Sequence, residues 1–444
     1  MAYHPSLWKN FTATYYDYES FTDLTAQSLT DRGICSVRLS WRRLLRESKK
    51  YRVRRNIKLT KLFSKCATSP SVKILYVDEW DIVDNIKEHL PVKSDTLECL
   101  TLFPHIYDDY VLRDILKPLV SLQQLVISNE FERDETEEQF SATEMPLSNA
   151  DYLAFSLDCL PELRDLEIDM LDDDEPWAEE IPIGEIVTTF YPKMERLIFK
   201  GSNVCISSQD LIVLAQRFPN LKYFGMRDSM ARESRVMSGV NFKHVVGLRL
   251  ASVTTSSPFD LNTICNNFPH LLALDITNGI EHEKEGLLDK HLHLLTKKVP
   301  NLAYLCVEGH KKITPDAVCE VVCQLPELQV LIVDYSTFSE ETQVDRLLAS
   351  IEANAPKLYS VLQVQWLKTK ILQSPSKIKY VNWSGKQAHT IKRANLVLYS
   401  HIAMKTISQY GSNQITPLRA SSAAYKAAIG EKFFKREESL LFSE

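Results

Sequence analysis

Glycine is scarce, with 12 residues in a chain of 444, where roughly 7% is usual. Phosphate-cradling loops and dinucleotide-binding turns consume glycine, so the shortage disfavours a nucleotide enzyme. No G-x-x-x-x-G-K-S/T, G-x-S-x-G or H-E-x-x-H string occurs, which leaves the usual phosphate-loop, serine-nucleophile and zinc-protease chemistries without residues. No apolar run approaches the ~20 residues that span a bilayer. The opening Met1-Ala2-Tyr3-His4-Pro5-Ser6-Leu7-Trp8-Lys9 has no charged stretch followed by an apolar core, so no signal peptide is read there. The nine cysteines are dispersed and odd in number. That suits reduced thiols in a cytoplasmic or nuclear protein better than a disulfide framework. The triplets Asn10-Phe11-Thr12 and Asn382-Trp383-Ser384 are accordingly read as chance rather than as glycosylation sites.

What remains is ordinary globular composition, 44% hydrophobic and 25% charged, with an unusual distribution of charge. Residues 1–66 hold 14 Lys and Arg against 5 Asp and Glu, and residues 356–444 hold 14 against 4. The middle, 67–355, holds 24 against 49, so two basic ends flank an acidic centre. Such polarity predicts different partners for the ends and the middle.

One pattern recurs through that middle: apolar-x-x-apolar-x-apolar. It appears at Val72-Leu75-Val77, Leu97-Leu100-Leu102, Leu122-Leu125-Ile127, Leu163-Leu166-Ile168 and Met194-Leu197-Phe199. It continues at Leu221-Phe224-Met226, Val245-Leu248-Leu250, Leu271-Leu274-Ile276, Leu302-Leu305-Val307 and Leu328-Leu331-Val333. Leu358-Val361 and Ile378-Val381-Trp383 read as decayed copies. The usual spacing is 24–31 residues, stretched once to 41 by an acidic insertion, Glu130 to Glu138. In seven copies a proline stands two residues ahead, at Pro161, Pro192, Pro219, Pro269, Pro300, Pro326 and Pro356. Proline has no N–H and pushes its predecessor out of the helical region, so it separates a helix from the strand that follows. Helix-period stretches precede the prolines. Leu211, Leu214, Ala215 and Phe218 lie behind a Ser207 or Ser208 cap, and Thr314-Pro315 leads Ala317, Val318, Val321, Val322 and Leu325.

Each unit is therefore helix, turn, short strand and loop, too small to bury its own apolar face, so the copies must stack. The predicted fold is α/β: a leucine-rich-repeat solenoid, or horseshoe, with parallel strands on the concave face and helices on the convex face. The expected organisation is a basic cap and first repeat over 1–66, the solenoid over 67–383, and a basic C-terminal cap or tail over 384–444.

Other features have plainer readings. Cys319 and Cys323 stand four apart on a helix without the further ligands a tetrahedral site needs, and Cys159, Cys265 and Cys323 are expected to pack in a small slot before the proline turn. His291 and His293 read as surface residues of a helix. The cluster Asp169, Asp172, Asp173, Asp174 and Glu175 lacks the glycine and terminal glutamate of a calcium loop and reads as a solvated acidic loop. No catalytic constellation, metal site or cofactor is expected, and the chain reads as a non-enzyme.

The repeat phrase running from Ser208 to Leu221, with Pro219-Asn220-Leu221 at its end, resembles the cysteine-containing subclass of F-box/leucine-rich-repeat proteins. His4-Pro5-Ser6-Leu7-Trp8-Lys9-Asn10-Phe11 is similar to the segment that closes an F-box in that family, with Leu29 to Leu39 following as the lead-in to a first strand. The resemblance implies a substrate receptor of a cullin–RING ubiquitin ligase, meeting a ligase adaptor through an F-box. That three-helix element would lie ahead of residue 4, which implies a truncated chain or a homologue that has lost it.

On the strands, residues between the buried positions face inward across the concave surface. That column gives Asp165, Glu167 and Asp169, then Arg196 and Lys200, then Tyr223 and Arg227, then Arg249, Asp275 and Tyr304. Arg196, Lys200, Tyr223, Arg227 and Arg249, with Asp275 and Tyr304 beside them, are the candidate partner-binding residues for an acidic or phosphorylated peptide. The competing reading is surface charge neutralised by the neighbouring acidic strand. The basic run Arg42 to Lys61 reads as a solvated helix face or a dock for the acidic centre or a ligase adaptor; nucleic-acid binding through phosphate contacts is the less favoured reading, since no aromatic beyond Tyr51 is interleaved, and no membrane partner is expected. The functional expectation is a protein-binding module choosing substrates for ubiquitination, with a free-standing repeat scaffold as the alternative.

Overall fold

A computed structural model describes residues 12–15, 23–39, 49–82, 84–106, 109–128, 154, 156–169, 181–186, 191–201, 204–227, 230–231, 242–251, 254–255, 261–277, 286–307, 309–310, 312–328, 330–333, 346, 350, 360–361, 378–381, 389–390 and 396–398. The chain falls into two compact units, Met1–Asn220 and Leu221–Glu444. The F-box-like phrase His4–Phe11, the first half of the basic run, Arg42–Arg46, the acidic insertion Glu130–Glu138 and the acidic residues 172–175 lie outside the described residues.

In the first unit the strands are β1 (Thr12–Tyr15), β2 (Ser36–Leu39), β3 (Ile74–Ile82), β4 (Cys99–Ile106), β5 (Gln124–Ser128), β6 (Asp165–Asp169), the short β7 (Ile181–Pro182), β8 (Arg196–Lys200) and the short β9 (Val204–Ile206). Seven of them pair in parallel, in chain order β1-β2-β3-β4-β5-β6-β8, while β7 pairs with β9 apart from them. In the second unit they are β10 (Tyr223–Arg227), β11 (Met230–Ala231), β12 (Gly247–Ala251), β13 (Thr254–Thr255), β14 (Ala273–Asp275), β15 (Tyr304–Val307) and β16 (Val330–Val333). Here β10-β12-β14-β15-β16 form the parallel sheet and β11 pairs with β13. This is the leucine-rich-repeat arrangement that the sequence period predicts.

The pattern and the core coincide. All thirty residues of the ten intact copies are buried, none more than 2% exposed. Each copy places its second and third apolar positions two residues apart, on one side of a pleated strand, and the first just ahead of it. A Leu-sized side chain buried this way contributes roughly 1.5–3 kcal/mol, and the repeated set is the main cohesive force within each unit. The backbone repeats as regularly. A carbonyl ahead of each strand accepts two successive N–H groups from the next repeat: Arg164 O takes Glu195 and Arg196, and Leu272 O takes Ala303 and Tyr304. Helices stack over the apolar side of the strands, burying residues such as Leu292, Leu295, Val318 and Val322 there, and are tied down at their caps. Ser207 caps the Ser208–Arg217 helix in a capping box with Asp210. The Asp210 carboxylate also accepts the N–H of Gly184 at 3.2 Å, and a Cβ on Gly184 would come within 2.3 Å of its Oδ1. A side chain at 184 would have to displace the Asp210 carboxylate from the cap. Thr314 caps the Pro315–Gln324 helix, and Asp289 of the preceding repeat accepts both its N–H and its hydroxyl at 2.8 Å.

Aromatic rings reinforce the stacking in the second unit. Phe242 lies between Phe224 and Phe268, with ring centroids 6.4 and 4.9 Å away and planes within 6°.

Three expectations change. Strand β1 extends the sheet ahead of the predicted first strand. Val361 and Ile378–Val381 lie in a separate four-stranded sheet with His389–Thr390 and Leu396–Leu398, including an antiparallel pair, so these decayed copies do not extend the repeat sheet. Cys265 is buried, Cys159 intermediate and Cys323 exposed, because they stand four, two and three residues ahead of their prolines and so do not share one slot.

The basic run becomes the Lys49–Ala67 helix, whose sequence contains no acidic residue. Leu59, Leu62, Phe63, Cys66 and Ala67 bury one side of it, while Lys58, Lys61 and Lys65 are exposed. Like charges three or four residues apart on a helix cost roughly 0.2–0.5 kcal/mol per pair.

Candidate protein-binding face

The strand surface opposite the apolar core holds the sequence-predicted residues. In the first unit, strand pairing puts Gln124, Asp165 and Arg196 side by side, and Ser128, Asp169 and Lys200 side by side four residues further on. The side chains follow that register. Gln124 Nε2 donates to Asp165 at 2.9 Å, and Arg196 donates through Nη1 to Asp165 at 2.8 Å and through Nη2 to Glu167 at 3.0 Å. Ser128 donates to Asp169 at 3.1 Å and Lys200 to the same oxygen at 3.0 Å. Arg196 is the most enclosed, its side chain only 4% exposed against 15% and 20% for its carboxylate partners. Its guanidinium fork suits two acceptors on neighbouring strand positions. The two cations share this face with three carboxylates, so it is a neutralised ladder rather than a bare basic patch.

The second unit arranges its face differently. Tyr223, Gly247, Ala273 and Tyr304 are register partners on four successive strands, with bulky residues outside and small ones between. The Tyr223 ring covers Gly247 so closely that a Cβ there would stand 2.4 Å from a ring carbon. Tyr223 is buried and Tyr304 half-buried. Arg249 approaches Asp275 at 3.2 Å. Asp275 also accepts the N–H and hydroxyl of Thr277, at 3.1 and 2.6 Å, and the Thr277 hydroxyl reaches Cys306 Sγ at 3.2 Å. Arg227 is placed on β10 beside Ala251 of β12.

Of the seven predicted residues, Arg196 and Lys200 thus come together in the first unit and Tyr223, Arg249, Asp275 and Tyr304 stand on neighbouring strands of the second. What the sequence reading left unresolved is the partner of each cation. The signal was available, since aligned copies place Asp165 and Arg196 at the same position of the pattern, as they do Asp169 and Lys200.

The histidines of the helix side are engaged locally. His291 Nδ1 accepts the Leu288 N–H at 2.9 Å and His293 meets Glu320 at 2.6 Å. Buried His310 accepts the Leu287 N–H through Nδ1 at 3.0 Å and meets the Ile276 carbonyl through Nε2 at 2.6 Å. Burial pushes the Cys66 thiol up to about 12 and the Cys159 thiol up to about 11, so neither is poised as a nucleophile near neutrality. Among the described residues no group of three or more His, Cys, Asp or Glu is placed to hold a metal ion, and no helix is long and apolar enough to cross a membrane.

No protein-family model and no curated protein matches the chain. Solved structures similar to it include yeast Rad7 in its complex with Elc1, at 14% identity and a TM-score of 0.43 over 78% of this chain and 88% of that one. Mouse RP105, from its complex with MD-1, is similar at 11% identity and a TM-score of 0.36, over 80% of this chain and 61% of that one. The leucine-rich-repeat domain of APL1B is similar at 10% identity and a TM-score of 0.29, over 88% and 93%.

Proposed function

We propose that the chain is a non-catalytic protein-binding module that captures a partner segment on its strand face. The supporting observation is the contrast between the two sides of the same strands. The core side is apolar in every intact copy, as stacking requires. The outer side changes from Asp165-Glu167-Asp169 to Arg196-Ile198-Lys200 to Tyr223-Gly225-Arg227, a variation that stacking does not demand and recognition does. The acidic or phosphorylated peptide is the partner class we favour. Lys200 supplies charge on the first unit's face, with a side chain 19% exposed, and Arg249 does so on the second's, 25% exposed, where Tyr304 supplies contact area. Arg196 holds the ladder in which Lys200 stands.

Affinity capture compares the parent with Lys200→Glu and Arg249→Glu combined. The expected result is loss of the captured partner at an unchanged melting temperature. Retention of the partner by the doubly reversed variant sinks this assignment.

The narrower role is substrate recognition for a cullin–RING ubiquitin ligase, favoured by the F-box-like phrase at His4–Phe11 and by the cysteine-containing repeat phrase. Co-purification of a cullin adaptor with the full chain supports it. Stable partner capture with the adaptor absent favours a free-standing scaffold instead.

A further inference from the structure

The turns ahead of the strands form an edge of the second unit that strand-face recognition does not use. The residue just before the first apolar position differs from copy to copy: Ser71, Thr96, Ser121, Glu162, Lys193, Asn220, His244, His270, Asn301 and Glu327. Stacking makes no demand on its chemistry, yet two consecutive copies carry histidine there, in a chain with 11 histidines among 444 residues. Both are exposed. Their backbones are held in step on either side. Two residues earlier, the Phe242 and Phe268 rings stack with centroids 4.9 Å apart and planes within 3°, and the Phe242 N–H donates to the Asn267 carbonyl at 2.8 Å. Two residues later, the Val246 carbonyl accepts the N–H groups of Leu272 and Ala273, and Gly247 is the register partner of Ala273. Phe242 and Phe268, like Gly247 and Ala273, are 26 residues apart, as are His244 and His270. At this same position of the first unit the side chains meet across repeats, Lys193 reaching Glu162 at 2.6 Å.

We propose that His244 and His270 chelate one divalent transition-metal ion of the nickel, copper or zinc class, its other coordination positions left to water. Imidazole nitrogen binds such ions at ~2.0–2.1 Å, so two nitrogens sharing an ion stand about 3–3.5 Å apart. Side chains mounted on backbones ~4.8 Å apart reach that separation by choice of rotamer. Enclosed structural and catalytic zinc sites use three or four protein ligands. With two, this is an exchangeable surface site. Lys243, exposed in the same turn, puts a positive charge beside it, so the ion is held by coordination and not by local negative charge. That selects a nitrogen-binding metal over calcium or magnesium, which require oxygen ligands. Once bound, the ion adds a cross-link between two repeats and stabilises the folded chain by mass action.

The test titrates Ni²⁺ into the full chain by calorimetry and follows the melting temperature alongside. The tightest Ni²⁺ is expected to bind one per chain, and the melting temperature to rise with Ni²⁺ concentration. His244→Gln and His270→Gln should each weaken that binding at least tenfold, because a chelate then loses its second, intramolecular contact. The double variant should bind no more weakly than either single one. Without Ni²⁺ all three should melt with the parent, since both side chains are exposed. An equal concentration of Mg²⁺ should not displace the ion. Failure of the parent to bind Ni²⁺, or displacement by Mg²⁺, overturns the proposal. So do losses that add from one variant to the next, which mean two independent histidines. Binding that survives both replacements assigns the ion to another ligand, such as the exposed Cys323, and overturns it as well. Strand-face capture uses other residues and is unaffected by any of these outcomes.

Discussion

The strand faces of the two units use one backbone plan for different purposes. In the first, side chains at equal positions of successive repeats neutralise one another, and Arg196 is enclosed by Asp165 and Glu167. In the second, an aromatic ring lies over a glycine, and the Arg249–Asp275 pair stands beside a half-buried tyrosine. Parallel pairing in register dictates both results. Whatever residue occupies one pattern position meets its counterpart one strand away, so charge next to opposite charge becomes a clamp and bulk next to glycine becomes a lid. The first face is held by a ladder of charge pairs, the second by a ring over a glycine and a single charge pair.

The comparison breaks most severely at Arg196. Arg196→Ala leaves two largely buried carboxylates facing each other without their cation, and is expected to destabilise the first unit by about 3 kcal/mol. Adding Asp165→Asn and Glu167→Gln to that variant should recover much of the loss, since the charges left behind cause most of it. Denaturant unfolding of the three proteins measures both steps. If Arg196→Ala unfolds at the parent's midpoint, the clamp reading is wrong.

The repeat fold was legible because packing imposes a recurring pattern: thirty buried positions fall in ten copies of one apolar motif, most of them 24–31 residues apart. Strand β1 was not, since Thr12-Ala13-Thr14-Tyr15 carries no copy of the pattern and is ordered by pairing with β2. The short β7, β9, β11 and β13 are two or three residues long, too brief for any alternation to register. At the candidate site, alternation identified the outward-facing residues, but a single strand read alone cannot show that Arg196 spends its charge on the strand before it. Likewise the 3.6-residue period placed the basic residues on a helix, but only the burial of Leu59, Leu62 and Phe63 showed which lysines are left on its outside.

On the second face the sharpest probe is Gly247. A Cβ there meets the Tyr223 ring at 2.4 Å, so Gly247→Ala must displace the ring, at a cost of about 1–3 kcal/mol for overpacking. Gly247→Ala with Tyr223→Ala removes the clash but also the ring's packing. The pair should therefore be strongly non-additive, each replacement costing less in the presence of the other. Additive losses in thermal unfolding would show that the ring does not depend on the glycine.

A smaller effect separates recognition from stability. Arg249→Ala removes a cation whose side chain is 25% exposed beside an Asp275 that keeps its hydrogen bonds from Thr277, so the expected loss is about 1 kcal/mol or less. Partner capture should suffer more than stability does. A destabilisation as large as that of Arg196→Ala would erase the distinction between the two faces.

The smallest effect belongs to the rim, where Lys73 of the first unit meets Glu98 of the next repeat at 2.5 Å, with both side chains substantially exposed. The hydrogen bond and charge of Glu98 raise the lysine's pKa. A raised value means that the folded state holds its proton more tightly, so this small stabilisation is complete below the lysine's unfolded pKa and fades as pH rises through the folded one. Water and salt screen the pair, and Lys73→Gln should cost at most about 0.5 kcal/mol at low ionic strength. The difference should vanish in about 1 M salt, where screening acts over ~3 Å, while the enclosed Arg196 pairs should keep most of their effect. Salt titration of both variants side by side therefore tests the underlying claim: an ion pair in this sheet stabilises according to how far its strand neighbours enclose it. Equal salt sensitivity of Lys73→Gln and Arg196→Ala would leave enclosure without a role.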